Sequence, residues 1–81
     1  MREYKYMPEN FSGKNGLDEE LKEFYRLLEN YQTDKSGINK ALLENQYEDV
    51  FFSLKHRVLE GLVSEGLWNE INEYLGGLFN D

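Results

Sequence analysis

The largest apolar side chains between residues 47 and 62 recur at the spacing of one face of an α-helix. They are Tyr47, Val50, Phe51, Leu54, Val58 and Leu62. The steps of three, one, three, four and four residues predict an amphipathic helix that buries this face. No other part of the chain has so long and so regular a stripe, so we expect the remaining elements to pack against it.

A second apolar face begins just upstream, at Ile38 and Leu42, but it is not continued at Asn45 or Asp49. Residues 38–64 therefore form either one long helix with a shifted apolar face or two helices with a break near Asn45. The pattern leaves both alternatives open.

Glycines mark the expected end of the long helix. Gly66 fits the left-handed position just after a helix, and Leu67 would then fold back onto Leu62. Gly61 falls inside the same predicted helix, where a residue without a side chain suits a close helix–helix crossing.

Another amphipathic helix is predicted from about Leu17 to Tyr31. Its apolar face comprises Leu17, Leu21, Phe24, Tyr25, Leu28 and Tyr31. Three acidic residues, 18–20, occupy its first turn, where the helix dipole favours negative charge. A polar turn follows, and Thr33, Asp34 or Ser36 is expected to cap the next helix.

The final helix is predicted from about Trp68 to Leu75. Trp68, Ile71 and Leu75 share one face of it. The pair Gly76-Gly77 should stop it, because glycine disfavours helix, and Leu78-Phe79 should lie beyond its end.

Residues 1–16 contain a proline, two glycines and several small polar residues, which favours an arm over a regular element. Tyr4, Tyr6 and Phe11 are its expected anchors if it lies across the helices, and otherwise the arm is a loose terminus. The prediction is thus an all-α protein: a bundle of three to four helices formed by residues 17–81, with a flexible or extended N-terminal arm formed by residues 1–16.

Composition narrows the possible functions. The 81 residues suffice for one domain, and the absence of cysteine excludes a disulfide scaffold and thiolate metal sites. The formal net charge of −7 makes direct nucleic-acid binding unfavourable, because phosphate contacts need clustered Lys and Arg. The sequence shows neither a signal peptide nor an apolar run that would span a membrane, so we expect a cytoplasmic protein without membrane contact.

The residues that carry catalytic chemistry are sparse. His56 is the single histidine, and adjacent acids such as Glu19 and Glu20 point about 100° apart on a helix, so they do not converge. The segment from Asp34 lacks the bidentate Glu of a calcium loop, since Asn45 stands at its twelfth position. We therefore expect no catalysis, no metal and no cofactor.

The C-terminal segment is acidic and rich in large apolar groups, and no Lys or Arg follows Arg57. This pattern favours binding to another protein or to a second copy of the chain, in a regulatory role. The candidate interaction surface comprises Glu65, Trp68, Glu70, Glu73, Tyr74 and Phe79. One alternative is an acidic mimic of nucleic acid that inhibits a DNA- or RNA-binding protein, and a minor one is a helix-turn-helix DNA-binding regulator over residues 54–75.

Overall fold

The computed structural model describes residues 4–11 and 16–79. These residues form a short 3-10 turn and three α-helices, and no strand occurs among them. The 3-10 turn spans Pro8–Phe11, α1 spans Leu17–Thr33, α2 spans Gly37–Leu59 and α3 spans Glu65–Phe79. The predicted all-α class is confirmed, with three helices.

The core is formed where α1 and α3 pack against α2. Completely buried side chains come from all three helices: Leu17, Leu21, Phe24, Leu28, Leu43, Val50, Leu54, Ile71 and Leu75. Within the predicted central stripe, Tyr47, Phe51 and Val58 are half-buried, whereas Leu62 lies beyond the helix and is exposed. Val50 and Leu54 are therefore buried as expected, and Tyr47 and Val58 pack at the edge of the core, whereas Phe51 and Leu62 lie outside the core cluster.

Residues 38–59 lie in one uninterrupted helix. Ser36 caps α2, because its Oγ accepts a hydrogen bond from the main-chain N–H of Asn39 at 3.2 Å. Asn45 lies on the exposed side of the helix, where a polar residue requires no break. Of the two alternatives that the pattern left open, the single helix with a shifted apolar face is the one observed.

The helix α2 ends earlier than the sequence predicts. Gly61 has φ of 79° and follows the last helical turn, where its N–H donates to the Val58 oxygen and that of Leu62 donates to the Arg57 oxygen. This pair of bonds is the Schellman arrangement. Gly61 is therefore the terminating glycine and not a packing glycine, whereas Gly66 lies inside α3.

The last helix is longer than predicted. α3 continues through Gly76-Gly77 to Phe79. Phe79 is only 5% exposed, and its ring centroid lies 5.4 Å from that of Tyr47 and 6.1 Å from that of Phe24. Burial of this aromatic side chain offsets the low helix propensity of two glycines, which is why the predicted stop at residue 76 is wrong.

The predicted anchors of the N-terminal arm are buried. Tyr4, Tyr6 and Phe11 are each less than a tenth exposed and belong to the main core. Residues 1–3 and 12–15 of the predicted arm lie outside the described part of the chain. None of the helices described is both long enough and apolar enough to cross a membrane.

Candidate functional site

The outer side of α2 carries an apolar surface that no part of the described chain covers. Ile38 and Leu59 are each 75% exposed, Phe52 is 56% exposed and Leu42 is 47% exposed. At 100° per residue these four side chains fall within a sector of about 100° on the helix. We call this surface, defined by Ile38, Leu42, Phe52 and Leu59, the α2 face.

The α2 face points away from the side of the helix that enters the core. Val50 and Leu54, both fully buried, lie about 80° to 180° around the helix from those four residues. A helix that is apolar on two separate sides is not an ordinary surface helix, which needs only one apolar stripe. Packing within the monomer explains one stripe of α2 and leaves the other unexplained.

Three polar residues are interleaved with the apolar ones in the same sector. These are Asn45, Asp49 and His56, and all three are exposed. The α2 face is thus mixed in character, as in interfaces that form reversibly, and less uniformly apolar than the core of an obligate one.

The flank of the α2 face that borders α3 is charged. Glu44, Glu48 and Lys55 are exposed and recur there at intervals of four and seven residues. The same side of the helix is close to α3, since the Phe51 ring contacts Trp68 with their centroids 5.3 Å apart. Phe51 also contacts Phe52 edge-on, with centroids 5.5 Å apart, so Phe52 is supported from the side that borders α3.

The opposite flank forms a polar cleft against α1 with a volume of about 480 Å³. Its lining residues are Glu20, Gln46, Asp49, Ser53, His56 and Arg57. The Ser53 hydroxyl donates to Glu20 Oε1 at 3.0 Å, and Gln46 Nε2 donates to the main-chain oxygen of Glu20 at 3.1 Å. These bonds tie α2 to α1, and they direct the serine hydroxyl to a carboxylate and not to the imidazole that nucleophilic catalysis would need.

The surface predicted on α3 is divided between solvent, the arm and the core. Glu65, Glu70 and Glu73 are exposed. Glu70 accepts a hydrogen bond from the Tyr6 hydroxyl at 3.3 Å, and the Tyr74 hydroxyl accepts one from the main-chain N–H of Lys5 at 2.9 Å.

The two remaining predicted residues face inward. Trp68 is half-buried against Phe51, and Phe79 lies in the core. The structure therefore does not bring the six predicted residues together as one exposed surface. Aromatic side chains near the C-terminus complete the monomer core, because α3 extends one turn further than the glycines suggested.

Two buried polar atoms on α3 lack a hydrogen-bond partner among the described residues. They are Nε1 of Trp68 and Oδ1 of Asn72, which lie one helical turn apart. The main-chain oxygen of Asn72 does accept a bond from the Tyr47 hydroxyl at 3.0 Å. Burial raises the pKa of Tyr47, because the phenolate would lose its hydration.

The described residues contain no cluster of three or more His, Asp or Glu side chains that would hold a metal ion. Comparison of the chain with protein-family models, with curated proteins and with solved structures finds no match. The inference of a function therefore rests on the geometry of this chain.

Sequence reasoning missed the α2 face, although a signal for it is present. Ile38 and Leu42 open an apolar pattern that is interrupted at Asn45 and Asp49. The same side of the helix becomes apolar again at Phe52 and at Leu59, which lies one turn beyond His56. Following helical spacing across the two polar positions would have shown a second apolar stripe on the same helix.

Proposed function

We propose that the protein is a non-catalytic interaction module that binds another protein chain through the α2 face. The observation that carries the proposal is the exposure of four large apolar side chains on one side of one helix. Large exposed apolar side chains grouped on one side of a helix favour an interaction site, because their burial is favourable by roughly 25 cal/mol per Å². A regulatory role fits a binding surface of this kind, since the described residues include no catalytic constellation.

Phe52 is the expected centre of the binding surface. It lies near the middle of the α2 face, contacts the Phe51 ring edge-on, and has Leu42 and Leu59 on either side of it along the helix. Aromatic residues near the middle of an interface commonly carry most of the binding energy. Phe52→Ser should therefore weaken binding strongly while leaving the monomer folded, since the side chain is more than half exposed.

The test compares this variant with a matched control. Lys40→Ser introduces the same residue at another exposed position of α2, about 120° away from Phe52 around the helix. Tagged wild type, Phe52→Ser and Lys40→Ser are each examined for self-association by sedimentation and for capture of a partner at low and high salt. Loss of binding with Phe52→Ser alone supports the proposal, and equal binding by all three proteins contradicts it.

A second candidate function is mimicry of nucleic acid by α3. Its exposed side carries Glu65, Glu70 and Glu73, and the helix contains no basic residue. Binding of this kind would be lost at high salt and weakened in the double variant Glu70→Gln/Glu73→Gln, yet unaffected by Phe52→Ser. The same acids weigh against a helix-turn-helix role, because a DNA-reading helix needs cations near phosphate.

A further inference from the structure

We propose that the chain covering the α2 face is a second copy of this protein, with the two α2 helices antiparallel about a two-fold axis near Phe52. This inference rests on the proposed function, since it names the partner of the same surface. It is carried by the distribution of charge over the three helices and by the order of charges along α2.

Among the three helices of the described residues, α2 is the one through which two copies can meet without strong charge repulsion. α1 and α3 each have a formal charge of −3, whereas α2 carries three basic and three acidic residues and is neutral. In a protein of net charge −7, contact through either other helix would bring like charges together. The basic residues of α2 are Lys40, Lys55 and Arg57, and the acidic ones are Glu44, Glu48 and Asp49.

The order of charges along α2 selects the antiparallel orientation. On the flank next to α3, Glu44 and Glu48 precede Lys55. In an antiparallel pair about a two-fold axis, this flank of one helix faces the same flank of the other, running in the opposite direction. Glu48 of each copy then lies opposite Lys55 of the other. A parallel pair would instead set this flank against the cleft-side flank of the second copy, bringing Lys55 towards the like charge of Arg57.

The same register matches the apolar residues. With the axis between residues 51 and 52, Phe52 packs close to Phe52 of the second copy, and Leu42 lies near Leu59 of the second copy. The 23 residues of α2 extend roughly 34 Å, enough for several turns of contact on both sides of the axis. The same alignment thus pairs Glu48 with Lys55 and brings the apolar residues of the two copies together.

Polar residues within the stripe predict a reversible dimer. Asn45 lies near His56 of the second copy in this register, and Asp49 lies next to the axis. Polar groups at these positions reduce the apolar area that association buries, compared with an obligate dimer. A chain of 81 residues gains from such pairing, because small domains bury only a modest fraction of their surface when they fold alone.

Reciprocal charge exchange tests this arrangement. Sedimentation equilibrium is measured at low salt on wild type, on Glu48→Lys and on Lys55→Glu. Each single variant places like charges opposite each other at two symmetric positions, so self-association should weaken roughly tenfold. An equimolar mixture of the two variants restores attraction between unlike chains and should associate more tightly than either variant alone, and the double variant Glu48→Lys/Lys55→Glu should associate as tightly as wild type.

Matched controls show whether self-association weakens because Glu48 and Lys55 no longer pair or because the net charge of the protein has changed. Glu19→Lys and Lys22→Glu make the same charge changes at exposed positions of α1 and should alter association far less. Phe52→Ser, checked for retained helicity by circular dichroism, should abolish the dimer in every charge background.

The outcomes distinguish this inference from the proposed function. A wild type that remains monomeric, but captures a different protein in a manner that Phe52→Ser abolishes, overturns the second-copy proposal and leaves the proposed function standing. A dimer that the double variant does not restore overturns the antiparallel register. A monomer whose α2 face binds nothing overturns both.

Discussion

The hydroxyl of Tyr25 donates a hydrogen bond of 2.5 Å to the main-chain oxygen of Tyr6. The ring of Tyr25 also stacks on Tyr4, with centroids 3.9 Å apart. Through Tyr6, whose own hydroxyl reaches Glu70, this contact joins α1 to α3 by way of the N-terminal segment. The arm is therefore part of what holds the helices together.

Removal of this hydroxyl should destabilise the protein. Tyr25→Phe keeps the stacked ring but leaves a buried carbonyl without its donor, so the free energy of unfolding should fall by about 1 to 2 kcal/mol. Chemical denaturation monitored by circular dichroism measures this change. Tyr31→Phe, at the half-buried end of the same helix, is the control and should have a smaller effect.

Stability should fall in strongly alkaline solution. Burial, and next the neighbouring Tyr74, Tyr4 and Tyr6, raise the pKa of Tyr25 well above the ordinary value of 10. Because the folded protein retains this proton more tightly than the unfolded chain does, the stabilisation is complete below pH 10 and is lost as the pH rises through the raised pKa.

Unfolding measured across this pH range should thus show a decline that is shallower in Tyr25→Phe than in wild type. Absorbance of the tyrosinate form provides an independent reading of the same titration. A decline of equal slope in both proteins would show that Tyr25 is not its source.

Replacing Gly61 and Gly77 with alanine should change the stability of the protein in opposite directions. Gly61 has φ of 79°, which strains any residue with a Cβ, so Gly61→Ala should cost about 1 kcal/mol. Gly77 lies inside α3, and a Cβ added there would meet no neighbouring side chain within 4 Å, so Gly77→Ala should stabilise by about 0.5 to 1 kcal/mol. Thermal unfolding of the two variants side by side checks this, and a shift in the same direction for both would contradict the assignment of Gly61 as the helix terminator.

Truncation of Phe79 should lower the stability of the monomer, whereas truncation of Phe52 should not. Phe79→Ala removes a ring that packs on Phe24 and Tyr47, so it should lower the free energy of unfolding by about 3 kcal/mol. Phe52→Ala removes an exposed ring and should leave the stability of the monomer within about 0.5 kcal/mol.

Denaturation of these two variants is measured at a concentration low enough to keep the protein monomeric. Should Phe79→Ala prove too unstable to purify, Phe79→Leu reports the same contact with a smaller loss. A large loss of monomer stability from Phe52→Ala would mean that the α2 face is part of the folded core.

Local signals predicted the helices well and their ends poorly. The apolar spacing of α1 involves neighbours along the chain, so the sequence shows it directly, and Ser36, the observed cap of α2, is one of the three capping residues that the sequence offers. The C-terminal ends of α2 and α3 depend on two opposing effects: glycine disfavours helix, whereas burial of an apolar side chain beyond the glycine favours its continuation. Gly61 ends α2 by adopting the left-handed conformation. Gly76-Gly77 do not end α3, because Phe79 beyond them enters the core.

Residue type and periodicity were enough to establish the helical class, the burial of Val50 and Leu54 at the centre of the stripe, and the exclusion of cysteine chemistry. They could not show which apolar residues remain exposed, because α1 and α3 together cover only one side of α2 and the packing of helices makes that choice. That is why Phe79, expected at an interface, lies in the core, while Phe52 and Leu59 face outward. Exposure depends on which helices pack together, a property that no local pattern contains.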